Sequence, residues 1–236
     1  TFTSFGGSGR RSIWESSNGG IIDFDGSASS PITLPSTTDF TFGTGDFTIE
    51  FWANPDDFGS RGTFYDSRPS GGTTGITIGH ESSSGEIRVY MIATSGSDIV
   101  VQSSDFATGQ WQHIVVTRSS GTVSLYINGT LKDSGTRTSD LNNTNVVNIG
   151  YKTYTSSTYD YFDGKIGEVR IYKGSGLTAA EVEHNYNTTK ERYTDLADVT
   201  VQGSFGESKL TYVGDSNTVV AGLKLHTHTN DIVVGT

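Results

Sequence analysis

Hydrophobic and polar residues alternate along short segments of this chain, most clearly over residues 109–129. Alternate positions over residues 111–117 fall on one face of an extended segment, and the pattern resumes over residues 123–127 after a Ser-Ser-Gly break. Asn128-Gly129 follows, the dipeptide that best tolerates the positive φ angles of a two-residue type I′ turn. The pattern predicts an antiparallel β-hairpin, the unit of an all-β domain.

The same alternation predicts several further strands, separated by Gly- and Ser-rich turns at intervals typical of a β-sandwich. They cover residues 21–24, 40–54, 76–78, 86–93, 98–102, 146–150 and 165–172. One helix is predicted, because Thr178 and Glu181 form a capping box, with Leu177 and Val182 at the two positions of a hydrophobic staple. This helix is expected to end by Asn187.

Composition narrows the class of protein. The 30 glycines and 4 prolines suit many short strands with tight turns, and 11% aromatic residues suffice for a core. The absence of cysteine excludes disulfides, thiolate metal sites and a cysteine nucleophile. A net charge of −10 argues against nucleic acid as a partner, and no apolar run is long enough to predict membrane insertion.

Changes in residue composition along the chain predict three regions. Residues 1–19 are Gly/Ser-rich and are interpreted as a leader segment or linker. Residues 20–192 hold the strands and the helix. Residues 193–236 contain no tryptophan and are rich in Val, Thr and Gly, which predicts a small C-terminal β-rich extension that could oligomerise.

Ordered motifs in the central region resemble the laminin G-like domain, in the bacterial and viral branch of the concanavalin A-like lectin/glucanase jelly rolls. They lie at residues 22–26, 45–53, 109–117, 125–129 and 164–172, followed by the helix at 177–181. The resemblance implies an all-β, two-sheet antiparallel jelly-roll sandwich with one short helix, its loops gathered at the rims.

A second similarity concerns the C-terminal region. Residues 195–199 and 206–212 resemble a short repeat of tail-fibre and other structural proteins of marine bacteriophages. This resemblance implies a virion protein that forms a homo-oligomer.

Catalysis is not expected. Some concanavalin A-like jelly rolls are glucanases, whose active strand carries alternating acidic residues that supply the carboxylate pair. Here Glu86 and Glu168 each stand alone in a strand, followed two residues later by an arginine. The chain also lacks a nucleophile elbow, a zinc-binding His-Glu-x-x-His and a phosphate loop.

The resemblance implies one structural calcium ion where the first and last strands meet, held by carboxylates and carbonyl oxygens. The matching positions are Asp25 and Glu168. Gly167 departs from the family, which commonly has an aspartate there. The alternative is that Asp25 bonds its own turn and Glu168 pairs with Arg170.

The segment 151–162 is the predicted ligand-binding loop. Tyrosine presents a flat apolar face and a hydroxyl, which suits sugar rings, and rim loops on a rigid sandwich commonly carry binding residues. The alternative is that these rings cover a sheet edge or a neighbouring subunit. The tyrosines concerned are Tyr151, Tyr154, Tyr159 and Tyr161.

Together these features predict a non-catalytic, extracellular protein of the virion surface, either a fibre or a capsid-decorating component. It would adhere to glycans or a host-surface polysaccharide, and contact other virion or surface proteins, through many weak sites acting together. One alternative is a carbohydrate-binding module of a bacterial secreted hydrolase or adhesin. The other is a purely architectural lattice or fibre subunit.

Overall fold

The computed structural model describes residues 12–13, 21–27, 32–68, 74–92, 98–141, 146–155, 158–194, 224–226 and 231–233. The chain divides into two compact units, residues 1–194 and 195–236. Of the predicted leader, Ser12–Ile13 is described and pairs with the next strand, and the remainder lies outside the described residues. In the second unit two short strands pair with each other, and the phage-like motifs at 195–199 and 206–212 lie outside the described residues.

The elements of the first unit follow one another with short connections. In chain order they are β1 (Ser12–Ile13), β2 (Ile21–Asp25), β3 (Ile32–Leu34), a 3₁₀ turn (Thr38–Phe40), β4 (Phe47–Pro55), β5 (Gly62–Asp66), β6 (Gly75–His80), β7 (Ile87–Ile92), β8 (Asp98–Ser103), β9 (Gln112–Ser119), β10 (Thr122–Ile127), β11 (Thr130–Thr136), β12 (Val147–Ile149), β13 (Tyr151–Thr155), β14 (Thr158–Tyr161), β15 (Asp163–Lys173), α1 (Ala179–Thr189) and α2 (Glu191–Thr194). The second unit contains β16 (Lys224–His226) and β17 (Asp231–Val233).

Two antiparallel sheets form the first unit, and their arrangement confirms the predicted jelly-roll sandwich. The seven-stranded sheet has the order β1-β2-β15-β4-β9-β10-β11, and the six-stranded sheet has the order β3-β12-β5-β6-β7-β8. The predicted hairpin forms β9 and β10 of the larger sheet. Asn128 and Gly129 turn the chain into β11 with φ angles of 52° and 75°, as the type I′ prediction requires.

The core lies between the two sheets and is built by alternation. Along β4, Phe47, Ile49 and Phe51 enter this core, while the intervening Glu50 and Trp52 face the opposite side of the sheet. That opposite side is also buried there. Central position in the sheet therefore makes β4 an almost wholly buried strand.

Helix α1 covers the outer face of the larger sheet. The capping box of Thr178 and Glu181 is confirmed, and Leu177 packs with Val182 as the staple predicts. The helix ends at Thr189, two residues beyond the prediction, because Thr189 is bound to the sheet: Trp52 donates from Nε1 to its Oγ1 at 3.1 Å. Tertiary contact extends the helix past the point where its sequence pattern fades.

Two other boundaries differ from the sequence predictions. The strand expected over residues 40–54 begins only at Phe47, since residues before it form a 3₁₀ turn that is capped by the Thr37 hydroxyl. The segment 151–162 is not an irregular loop but the two short strands β13 and β14, which pair only with each other.

Candidate functional site

The tyrosine-rich segment forms a hairpin with two different faces. Tyr151 and Tyr161 are cross-strand partners, and their rings stack with centroids 6.0 Å apart and planes 15° apart. The backbone of Tyr154 and Tyr159 lies in the same two strands, but their side chains lie outside the described part of the structure. Of the four predicted ligand residues, the structure brings Tyr151 and Tyr161 together.

Charged residues occupy the positions between these tyrosines and anchor the hairpin. Lys152 and Asp160 are cross-strand partners, and both hairpin strands lie against β5. Lys152 is only 4% exposed and places its ammonium 5.8 Å from the ring centre of Tyr90. Burial lowers the pKa of Lys152 to about 8 and raises that of Asp160. Alternation therefore places Lys152 and the tyrosine pair on opposite faces of the hairpin, and the Tyr151 hydroxyl lies 3.5 Å from the hydroxyl of Thr33 on β3.

A cleft of about 130 Å³ lies beside this tyrosine pair, at the rim of the sandwich. Tyr161 and Asp163 reach it because they flank Phe162, which is buried in the core, so that the strand turns its alternate residues outward. The loop after β4, the end of β2 and the end of β6 supply the other walls. The lining residues are Gly26, Asp57, Gly59, Ser60, His80, Tyr161 and Asp163.

Two copies of the tripeptide Phe-Asp-Gly build one wall of this cleft. They occupy residues 24–26 at the end of β2 and 162–164 at the start of β15. The rings of Phe24 and Phe162 meet edge to face in the core, at 6.1 Å, and Asp25 stands directly opposite Asp163 in the sheet. The repeated tripeptide is the sequence signal that could have identified Asp163 as part of the site.

The glycines of these tripeptides are required by their surroundings. Gly26 has a φ of +66°, and a Cβ there would lie 3.2 Å from the Cβ of Asp163. Gly164 has a φ of +133°, and a Cβ there would lie 2.3 Å from the carbonyl oxygen of Asn54. These positions let the two strands and the Asp57 loop approach closely enough to form the cleft.

Negative charge accumulates around Asp163. Burial, followed by the carboxylates of Asp56, Asp57, Asp25 and Asp23, raises the pKa of Asp163 above its ordinary value of 3.8. Lys165 offsets part of this charge, with Nζ 3.4 Å from Asp56 and 4.0 Å from Asp23. The cleft therefore combines an aromatic pair with an excess of carboxylates.

Asp163→Asn is expected to raise the free energy of unfolding by up to about 1 kcal/mol at pH 7, because it removes like charges from directly opposed sheet positions. A carboxyl whose pKa is raised by folding costs stability once the pH rises above its unfolded value of 3.8, and this cost persists at neutral pH. Urea denaturation at pH 7 measures the change. Asp105→Asn is the control, since Asp105 is paired with Lys132 at 2.8 Å and should give no gain. Equal effects of the two substitutions would contradict the prediction.

His80 closes another side of the cleft. Its ring is 4% exposed and packs among Phe58, Phe64, Phe106 and Phe162, and burial lowers its pKa. Within the described part of the chain, its Nε2 atom has no hydrogen-bond partner. This atom points at Gly62, where a Cβ would lie 2.2 Å away, so the glycine makes room for the imidazole ring.

The two predicted calcium ligands do not share a site. Asp25 pairs with Asp163, whereas Glu168 lies five residues further along β15, in a bulge where its φ is 48°. Asp25 accepts hydrogen bonds from the amide and hydroxyl of Ser27, so it caps its own turn. Glu168 accepts from Arg170 and Arg192. Asp25 therefore bonds its own turn and Glu168 pairs with Arg170, which is the alternative given for these residues in the sequence analysis. This pair does not fit one calcium ion.

A second group of perturbed charges lies under helix α1, centred on Glu50. This carboxylate is 1% exposed and accepts hydrogen bonds from Arg170, Tyr172 and Asn185, with His113 Nε2 at 3.6 Å. Despite desolvation by burial, these partners lower the pKa of Glu50 to about 2. Because Asn185 belongs to α1, the group attaches the helix to the sheet.

Among the described residues, no group of three or more histidine, aspartate and glutamate side chains is arranged to hold a metal ion.

Comparison with known families identifies the fold. A laminin G family model, described as the concanavalin A-like lectin/glucanases superfamily, matches residues 25–183. The chain belongs to this superfamily. The prediction from the ordered motifs is confirmed. No curated protein shows significant similarity to this chain. The resemblance of the C-terminal segment to phage repeats has no counterpart among these matches.

Solved structures of varied origin share the fold of this chain. The binding domain of botulinum neurotoxin serotype G is 20% identical over 72% of this chain and 42% of its own, with a TM-score of 0.58. Domain 4 of an extracellular arabinanase from Geobacillus stearothermophilus, in complex with arabinotriose, is 23% identical over 70% and 75%, with a TM-score of 0.53. A heptameric SAP-like pentraxin from Limulus polyphemus is 15% identical over 71% and 81%, with a TM-score of 0.56.

These likenesses concern the fold. The chain spans less than half of the toxin binding domains that it matches. In the described part of this concanavalin A-like protein, each helix is too short and too polar to span a bilayer.

Proposed function

We propose that this protein is a non-catalytic, extracellular carbohydrate-binding protein and that the rim cleft is its binding site. The stacked pair of Tyr151 and Tyr161 beside the cleft is the observation that carries the proposal. An aromatic face packs against the C–H face of a sugar ring, while polar groups beside it bind the hydroxyls. Here those polar groups are Asp57, Ser60 and Asp163.

The hairpin supplies rigidity to this site. Both of its strands lie against β5 and Lys152 is buried, which favours a tyrosine pair that is positioned before a ligand arrives. Preorganised side chains lose less conformational freedom on binding, which favours affinity at a shallow site. Many copies on one particle or surface would strengthen such binding further.

Tyr161→Ala is expected to weaken glycan binding at least tenfold, because it removes the ring that both lines the cleft and stacks on Tyr151. Glycan-array screening followed by titration with the best binder measures the loss. Tyr161→Phe is the matched control and should retain most of the affinity, since it keeps the ring. A triple substitution of Tyr154, Tyr159 and Tyr161 by alanine tests the remaining predicted ligands.

No binding to any glycan at high avidity would overturn the proposal. Equal loss in the alanine and phenylalanine variants would instead mean that the hydroxyl, rather than the ring, carries the contact. Thermal unfolding of each variant separates loss of the site from loss of the fold.

A carbohydrate-binding module of a larger secreted hydrolase is the second candidate. Its support is the similar fold of the arabinanase domain that was crystallised with arabinotriose. The gene neighbourhood distinguishes the two candidates. A catalytic domain encoded alongside favours the module, whereas neighbouring virion genes favour an adhesive virion protein.

Placement on a virion, in contact with other virion proteins and as a homo-oligomer, remains a prediction from the C-terminal segment. Native mass spectrometry of residues 1–236 tests it, and a monomer at all concentrations would argue against a fibre. A purely architectural role would leave the tyrosine pair without a glycan ligand. The same glycan screen therefore distinguishes an architectural protein, which binds no glycan, from an adhesive one.

A further inference from the structure

The rim cleft presents hydrogen-bond acceptors to a ligand. Asp57 and Asp163 contribute carboxylates. His80 also lines the cleft, but both of its ring nitrogens face other parts of the chain: Nδ1 lies 3.3 Å from the carbonyl oxygen of Glu81, and Nε2 points at Gly62.

The same cleft carries an excess of negative charge. Burial, followed by four neighbouring aspartates, raises the pKa of Asp163, and Lys165 pairs with two of these aspartates. Asp57 is held in place because its Oδ1 accepts from the amide of Gly59 at 2.7 Å. The carboxylate of Asp163 lies against Gly26, whose lack of a side chain admits it.

We propose that the cleft selects glycans with protonated amino groups, such as glucosamine oligosaccharides, over neutral glycans, and rejects glycans rich in uronic acids. This inference rests on the function proposed above and specifies its ligand class. An ammonium group donates up to three hydrogen bonds and carries the complementary charge. A sugar carboxylate would face like charges and could donate nothing to the acceptors.

Three tetrasaccharides test the preference: glucosamine, N-acetylglucosamine and galacturonic acid. Calorimetric titrations at pH 6, in chelator and low salt, should show the glucosamine tetramer binding on the order of tenfold more tightly than its acetylated form. The galacturonic acid tetramer should bind most weakly. Raised salt should shrink these differences, because it screens charges at an exposed site.

The double variant Asp57→Asn and Asp163→Asn keeps the shape of both side chains and removes both charges. It should lose the preference for glucosamine and still bind the acetylated tetramer. Glu183→Gln with Glu191→Gln removes the same total charge from exposed positions of the two helices. This control should keep the preference, which separates a local effect of the cleft from the net charge of the protein.

Each remaining outcome overturns the inference in a recognisable way. Equal binding of the three tetramers, or a preference that survives in the double variant, overturns the ligand class and leaves carbohydrate binding intact. Binding of galacturonic acid that appears only on adding calcium means that the carboxylates hold a cation instead. Failure of all three tetramers, and of every glycan in the array screen, overturns the proposed function as well.

Discussion

Replacing Glu50 with alanine is expected to lower the free energy of unfolding by about 3 kcal/mol at pH 7. The carboxylate is buried at the junction of β4, β15 and α1, where Arg170 donates to it at 2.8 Å, Tyr172 at 3.0 Å and Asn185 at 3.0 Å. The substitution removes the common acceptor of these donors. Because Asn185 belongs to the helix, its loss also weakens the attachment of α1 to the sheet.

This effect depends on pH in a direction that the pKa of Glu50 dictates. Folding lowers that pKa from its ordinary value of 4.5 to about 2. The stabilisation is therefore complete above pH 4.5 and disappears as the pH falls towards 2. Urea denaturation at several pH values should show the wild type and the alanine variant converging over this range.

Glu183→Gln is the matched control, because Glu183 is an exposed acidic residue on α1. It should change stability by no more than about 0.5 kcal/mol at any pH. A Glu50→Ala protein whose free energy of unfolding stays within about 1 kcal/mol of the wild type would contradict the prediction. It would mean that the interactions of Glu50 only offset the cost of removing its charge from water.

Arg118→Met is the second substitution with a large expected effect, a loss of about 3 kcal/mol. The Arg118 side chain is wholly buried and donates to three backbone carbonyls: Gly43 at 2.7 Å, Gly45 at 2.9 Å and Ser139 at 3.2 Å. Its guanidinium also lies 5.1 Å from the ring centre of Phe47. Methionine retains the apolar stem but leaves these carbonyls without their donor.

The planar guanidinium, which donates in several directions at once, contributes to stability through its shape as well as its charge. Arg118→Lys should fall between the wild type and the methionine variant, because one ammonium cannot reach all three carbonyls. Arg192→Met is the control, since Arg192 makes a half-exposed pair with Glu168 and should cost less than about 1 kcal/mol. Chemical denaturation of the four proteins ranks them, and equal losses for Arg118→Met and Arg192→Met would refute the argument.

Local pattern predicted the elements of the sandwich well. The β9–β10 hairpin, its Asn-Gly turn and the capping box of α1 all depend on residues that are neighbours in the chain. Burial was less predictable. The Trp52 ring is buried not between the sheets but on the outer face of the larger sheet, stacked on Tyr193 at 4.6 Å under the helices. Trp111, at the start of the predicted hairpin, is only partly buried.

The candidate site was predicted in part. Tyrosine chemistry points to Tyr151 and Tyr161, but the pattern predicts a loop, since the four tyrosines and three threonines of the segment mark no clear strand boundary. Asp163, Asp57 and His80 were missed. They come from three elements that are distant in the chain, and no local spacing connects them.

Sequence by itself determined the all-β class, the jelly-roll family and the positions of most strands, because alternation with period two and turn residues act over a few residues. Tertiary structure alone decided which side chains meet. The pairing of β2 with β15 sets Asp25 opposite Asp163 and leaves Glu168 with two arginines. A shift of one residue in that register would turn every one of these side chains to the other face, so the cleft exists only through long-range strand pairing.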